Sequence, residues 1–376
     1  MNAPSVKPIS VKPYLKARQH TVRQAMLSRG VDTLLLTHPA DLAYLSDFSG
    51  HDSIGVLSEA DFILVTDFRY TEQAQIESPW LKVVMREGKM SDALTTALVE
   101  LKSKKVGFES NFTLYGQVES LRKTLEEKKI GIALQAVEDL MVNVRKTKDE
   151  VEVAIIRDGI RVAQEALLAA KSEFKPGRTE NYIAGLITFE MRKRGASDAS
   201  FEPIIATGPA SSLPHYRPGD IDIKRDTFLL VDYGALYQGY CSDITRTFSI
   251  GTLPAKLTEI YKICLEAQLA AIAAIKPGAN TKAVDTAARS IIEKAGYGQY
   301  FGHGLGHGIG RDIHEQPTLR KQGDGEELKP GHIVTVEPGI YLPGLGGVRI
   351  VDDVLITDKG CEVLTSLDKS LEGCRL

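Results

Sequence analysis

The sequence predicts two domains: a smaller α/β domain over residues 1–145, then a larger α+β domain with an antiparallel sheet over residues 146–376. Three observations predict this. The chain has 376 residues, 43% hydrophobic and 25% charged, which is enough apolar material for more than one core. Short apolar runs alternate with amphipathic helical patterns through the first third. Beyond it, the β-rich segments come in pairs divided by turns instead of one strand per helix, a pattern that favours antiparallel pairing.

Taken in order, the first third reads "TVRQAMLSRG", "TLLLTH", "GVLSEADFILVTDFRY", "SDALTTALVELKSKK" and "KVGFES", the alternation of an α/β domain. It closes near "VEDLMVNVRKTKDEVE", where a basic turn leads into a long helix, "DEVEVAIIRDGIRVAQEALLAAKSEF", with apolar residues at helical spacing. The boundary is placed near residue 145. Two further helices, "ENYIAGLITFEMRKRG" and "PAKLTEIYKICLEAQLAAIAAIKPG", stand between β-rich segments that hold most of the unusual polar residues. No tandem repeat of short period and no low-complexity segment is present.

Composition narrows the function. A formal charge of −3, with Lys and Arg scattered, gives no footprint for nucleic acid. No run approaches the roughly 20 apolar residues of a membrane span. The opening "MNAPSVKPISVKPYLKARQH" lacks an apolar targeting core, so a cytoplasmic protein is expected. Cys241, Cys264, Cys361 and Cys374 have no CxxC spacing, so neither a disulfide framework nor a thiolate zinc site is expected.

Four segments carry the chemistry. "TFLLVDYGALYQGYCSDITRTF" reads as two strands around a turn. A turn centred between Tyr237 and Gln238 sets Asp232 opposite Asp243, with Cβ atoms about 4.5–5.5 Å apart, and two like charges there call for a cation between them. The plain alternative is two solvated aspartates on an exposed hairpin. In "FGHGLGHGIGRDIHEQP", glycines at 304, 306, 308 and 310 exclude a helix. An extended chain puts His303 and His307 on one face, and the odd step to His314 requires a turn or bulge that Gly308 or Gly310 would supply. In "GHIVTVEPGIY", Ile333, Thr335 and Glu337 share one face of a strand that Pro338 ends; Glu337 is either buried and partnered or at the sheet's rim. In "GGVRIVDDVLIT", Arg349, Val351 and Asp353 share one face and Asp352 takes the other.

The order Asp232, Asp243, His307, Glu337 resembles the metal-ligand series of the pita-bread metallopeptidases: methionine aminopeptidases, Xaa-Pro aminopeptidases and prolidases, with creatinase as a metal-free relative. The resemblance covers nearly the whole chain. "VTDFRYTEQA" is similar to the creatinase-type N-terminal domain of the Xaa-Pro branch, "ATGPASSLPHYRPGD" to the segment supplying a further active-site histidine, His215, and "HGLGHGIGRDIHEQP" and "TVEPGIY" are close matches. It implies a pita-bread catalytic domain after a creatinase-like one, and a metal-dependent peptidase that cleaves Xaa-Pro bonds through a metal-bound hydroxide.

By the same resemblance, Asp232 binds one metal, Asp243 bridges two, and His307 and Glu337 bind the other. Glu337 or its partner carboxylates handle the proton, His215 and His314 stabilise the tetrahedral intermediate, and His303 and Arg349 recognise the proline-containing part. The family's fifth ligand, a bridging glutamate, falls at Val351. One side then keeps Asp243, His307 and Glu337, the usual inventory of a catalytic metal site, and the other keeps two aspartates. One well-held ion and a weak or absent second are therefore expected. The donor set suits manganese, the expected ion, and also cobalt, iron or zinc. The partners implied are a proline-containing peptide or dipeptide and a second copy of the chain in a homodimer. A metal-free creatinase-like hydrolase and a non-catalytic peptide-binding relative are the alternatives.

Overall fold

The structure, a computed structural model, describes residues 11–376. The first half of the opening segment, on which the expectation of no targeting sequence rests, lies outside the described residues. By its contacts the chain divides into two compact units, Met1–Val144 and Arg145–Leu376.

The first unit is built on six strands: β1 (Thr33–Leu36), β2 (Ile54–Ser58), β3 (Phe62–Thr66), β4 (Lys82–Met85), β5 (Lys105–Glu109) and β6 (Ala133–Val137), in the order β4-β3-β2-β1-β5-β6. β2 runs antiparallel to β1 and β3, and the remaining pairings are parallel. Side chains alternate across this sheet, and both faces are covered. Leu34, Leu36, Leu57 and Leu64 pack with Val22 and Met26 of helix Pro13–Ser28. Leu35, Val56, Ile63 and Val65 pack with Leu94 and Leu98 of helix Met90–Glu100 and with Leu121 and Leu125 of helix Tyr115–Glu127. Burial on both faces is why these strands read as unbroken apolar runs.

The second unit opens on helix Glu150–Ala170. Asp149 accepts from the Glu152 N–H and Glu152 accepts from the Asp149 N–H, a reciprocal cap that fixes the start of the helix. Ile156, Ile160, Ala163, Leu167 and Ala170 turn one stripe of it into the core. The strands are β7 (Asp198–Ala199), β8 (Ile204–Thr207), β9 (Thr227–Tyr233), β10 (Ala235–Tyr237), β11 (Tyr240–Cys241), β12 (Ile244–Ile250), β13 (Gly306–Gly308), β14 (Glu315–Leu319), β15 (Ile333–Val336), β16 (Gly339–Leu342), β17 (Gly346–Arg349), β18 (Asp352–Thr357) and β19 (Gly360–Val363). They form sheets ordered β11-β10-β7, β12-β9-β8, β14-β13-β15-β18-β19 and β16-β17, with every pairing antiparallel. Helices Ala255–Ala274 and Thr281–Lys294 belong to the same core.

The hairpin register differs from the sequence expectation by one residue along each strand. Leu236 pairs with Cys241 and Tyr237 with Tyr240, so the turn is the two residues Gln238 and Gly239. Both have positive φ, 49° and 77°, as a two-residue turn matched to strand twist demands. Glycine at the second position set the turn, and Asp232 faces Thr245 instead of Asp243. The two aspartates are diagonal neighbours.

The glycines between the histidines also act differently from the expectation. Neither Gly306 nor Gly308 has positive φ. A Cβ on Gly306 would lie 2.0 Å from the Thr335 carbonyl oxygen, and one on Gly308 would lie 2.2 Å from that of Gln316. They are there for close approach of strands. The pairing of β13 with β14 shifts register between these two glycines.

Candidate metal centre

Strand register arranges the candidate residues in two rows. In the first, Asp232 on β9 pairs with Thr245 on β12, and Thr245 bridges to Val351, which continuing the β15/β18 register sets opposite Glu337. In the second, the Asp243 N–H donates to Asp353 Oδ2, Asp353 pairs with Thr335, and the Thr335 hydroxyl accepts from the His307 N–H. The two rows bring the carboxylates and the imidazole together from four segments spread over a hundred residues.

His307 Nε2 lies 3.5 Å from Asp243 Oδ2 and 3.5 Å from Glu337 Oε1. Two donors each about 2.1 Å from a tetrahedral ion stand about 3.4 Å apart, so these separations fit one cation between the three groups. Among the described residues, however, no three His, Cys, Asp or Glu side chains already close around a single point. The two direct distances show His307 within reach of both carboxylates. Charge supports it. Burial drives Glu337 up to about 7; His307 and Arg349 oppose the rise, while Asp243 and Asp232 add to it. Burial lowers His307, but hydrogen bonding and attraction to Asp243 and Glu337 lift it to about 9. Acidic groups this desolvated need a cation or a proton.

Asp232 is placed differently. One of its oxygens is paired with the Arg349 guanidinium, and the other is buried without a hydrogen-bond partner. Burial raises its carboxyl above the usual range, against Arg349 and with Asp243. Arg349 also donates to Tyr341 Oη at 2.9 Å and to the Pro214 carbonyl at 3.3 Å. His303 contacts the same tyrosine hydroxyl at 2.9 Å, and burial takes its imidazole down to about 4. Arg349 turns to Asp232 and Asp353 to the Asp243 N–H, Val351 between them is buried, and Asp352 takes the opposite side with Arg246, Gln268 and Lys369. Arg349 and Asp353 thus share the side read from the strand, and Asp352 the other. Asp353 is pushed well above the usual carboxylate range by burial and then by Asp243.

Above these groups lies a cavity of about 610 Å³ lined by Asp232, Asp243, His303, His307, Glu337 and Arg349, with His215 and His314 also on its wall. The His307 and His314 rings are 4.4 Å apart, so the loop before β14 brings the third histidine back. Sequence reasoning missed three supports. Tyr341 ties His303 to Arg349 and was visible only as the last letter of "TVEPGIY". Asp285 and Arg289, one turn apart on helix Thr281–Lys294, hold the Phe301 and His303 carbonyls and the Leu305 N–H. Glu315, gripped by Arg145 and Lys148, fixes the residue after His314. The first gave a weak signal; helical i,i+4 spacing was the only hint of the second.

Comparison with known proteins agrees with this architecture. The profile described as Metallopeptidase family M24 matches residues 154–358, and that of the Creatinase/Prolidase N-terminal domain matches residues 18–145. An Xaa-Pro dipeptidase of Pyrococcus horikoshii is 38% identical over 348 residues, spanning 92% of this chain and 96% of its own. A solved Xaa-Pro dipeptidase from Bacillus anthracis is similar with a TM-score of 0.90 at 37% identity, covering 96% of this chain and all of that one (100%). A solved X-Pro aminopeptidase from Thermotoga maritima gives 0.84 at 35% identity, covering 92% of this chain and 99% of that one. The second unit has the pita-bread fold. The chain belongs to metallopeptidase family M24 and carries the family's creatinase/prolidase-type N-terminal domain.

Proposed function

We propose that the chain hydrolyses Xaa-Pro bonds in dipeptides or short peptides, with one firmly held divalent ion. The observation that carries this is the approach of His307 to both Asp243 and Glu337 in the lining of a cavity that also holds His215 and His314. Relatives named Xaa-Pro dipeptidase and X-Pro aminopeptidase supply the substrate class. They differ on whether proline must end the substrate, so the chain's preference between the two stays within the proposal.

Asp243, His307 and Glu337 would hold the ion. When bound, it supplies Lewis-acid polarisation of the scissile carbonyl and an acidified water. Glu337 or one of its partner carboxylates would handle the proton passed between the water and the leaving amine. His215 and His314 stand on the wall to donate to the developing oxyanion. Arg349 serves as a fixed cation for Asp232, which accounts for one carboxylate without a second ion. His303, kept neutral by burial and hydrogen-bonded to Tyr341, forms the wall assigned to the proline end. Manganese is proposed on the donor set, a homodimer on the resemblance, a cytoplasmic location on the lack of an apolar targeting core, and a domain boundary at 145 on the change of pattern at the basic turn. Among the described residues no helix is long and apolar enough to cross a membrane.

The test is hydrolysis of Xaa-Pro dipeptides and longer Xaa-Pro peptides with added Mn²⁺, then with chelator. Slow turnover that chelator abolishes and Mn²⁺ restores is expected. Turnover indifferent to chelator would point to a creatinase-like hydrolase, and none with any divalent ion would point to a binding protein.

A further inference from the structure

Thr335 and Asp353 face each other across β15 and β18 at the centre of the second row, and both are fully buried. Neither lines the cavity, yet each touches candidate donors. Thr335 Oγ1 accepts from the His307 N–H at 3.0 Å and donates to Glu337 Oε1 across a long 3.5 Å contact. One hydroxyl thus links the backbone of one donor to the carboxylate of another. Asp353 Oδ2 accepts from the Asp243 N–H at 3.1 Å, while its Oδ1 is buried without a hydrogen-bond partner.

The neighbourhood leaves this pair little freedom. β13 lies so close over Thr335 that only glycine fits at 306. Asp352, the next residue along β18, points to the other side and is held by Arg246, Lys369 and Gln268, which prevents the strand from rotating. The surroundings therefore lock the strand, and Thr335 and Asp353 transmit its position to the donors.

We propose that Thr335 and Asp353 are a positioning pair that sets Asp243, His307 and Glu337 for a single divalent ion. This rests on reading the site as a metal centre. Removing a residue that orients a metal ligand typically costs about 10–100-fold in metal affinity. Asp353 acts here through the hydrogen bond it accepts, and not as a replacement ligand for the carboxylate missing at 351.

The experiment is titration of the full-length apo-protein with Mn²⁺ alone, read by calorimetry or electron paramagnetic resonance, with the apo melting temperature measured beside it. Thr335→Val removes the bridging hydroxyl and Thr335→Ser restores it. Asp353→Ala removes the acceptor and Asp353→Asn keeps a carbonyl oxygen in its place. Val and Ala are expected to weaken Mn²⁺ binding about 10–100-fold, with Ser and Asn within about three-fold of the parent. Parent-like binding by Val and Ala overturns the proposal, and Asn as weak as Ala overturns it by showing direct ligation. Should one member of a pair fail to fold, the pair at the other position decides. A parent that binds no Mn²⁺ at all overturns the metal-centre reading together with this one, whereas a binding parent with indifferent variants overturns this one alone.

Discussion

At the scale of single residues, His307 is the group whose proton and cation compete for the same place. Its folded value of about 9 stands above the ordinary 6.5, held there by Asp243 and Glu337 against the opposing effect of burial. A group raised in this way contributes stability that is fully present below about pH 6.5 and is lost as pH rises through about 9. Without metal, the melting temperature is therefore expected to fall between pH 7 and 8.5. An ion needs the neutral imidazole, so with saturating Mn²⁺ the stabilisation should grow over the same window. Thermal melts in chelator and in Mn²⁺ across that range check this; two curves that run parallel would contradict it. The opposite facing of Asp352 and Asp353 was legible beforehand, because side chains alternate along a strand. The pairing of Arg349 with Asp232 was not legible, since it joins residues over a hundred positions apart through a fold the sequence does not spell out.

At the scale of elements, the close approach of β13 to β15 sets the distance between His307 and Glu337. A methyl group on Gly306 would lie 2.0 Å from the Thr335 carbonyl oxygen, which belongs to backbone and cannot swing aside. Gly306→Ala is expected to cost about 1–3 kcal/mol of stability through forced strand displacement. It should also weaken Mn²⁺ binding, since His307 moves with the strand. Paired melting and Mn²⁺ titration measure both; parent-like values would show that β13 has slack. The same element shows how far pattern reading reaches. Glycines in "GHGLGHGIG" excluded a helix correctly, but their purpose, room for a neighbouring backbone, depends on a strand that pairs from elsewhere in the chain. The hairpin at Gln238 and Gly239 is comparable. A local rule gave its existence, and the glycine at the second turn position set its register one residue further along.

At the scale of the whole molecule, the second unit gathers four segments into one floor by antiparallel register alone, and loops supply the histidines of the wall. The α/β then α+β order was readable because periodicity and strand spacing are local properties. Which side chains meet across sheets was readable only through resemblance to a family. In the proposed reading the second ion's place is altered, since Val351 stands in the row between Thr245 and Glu337 and Asp232 is paired with Arg349. The most direct measurement is the number of Mn²⁺ ions retained per chain after loading and extensive dialysis, for the parent and for Val351→Glu. One tightly held ion in the parent and two in the variant is the predicted result; two in the parent, or none, would contradict it.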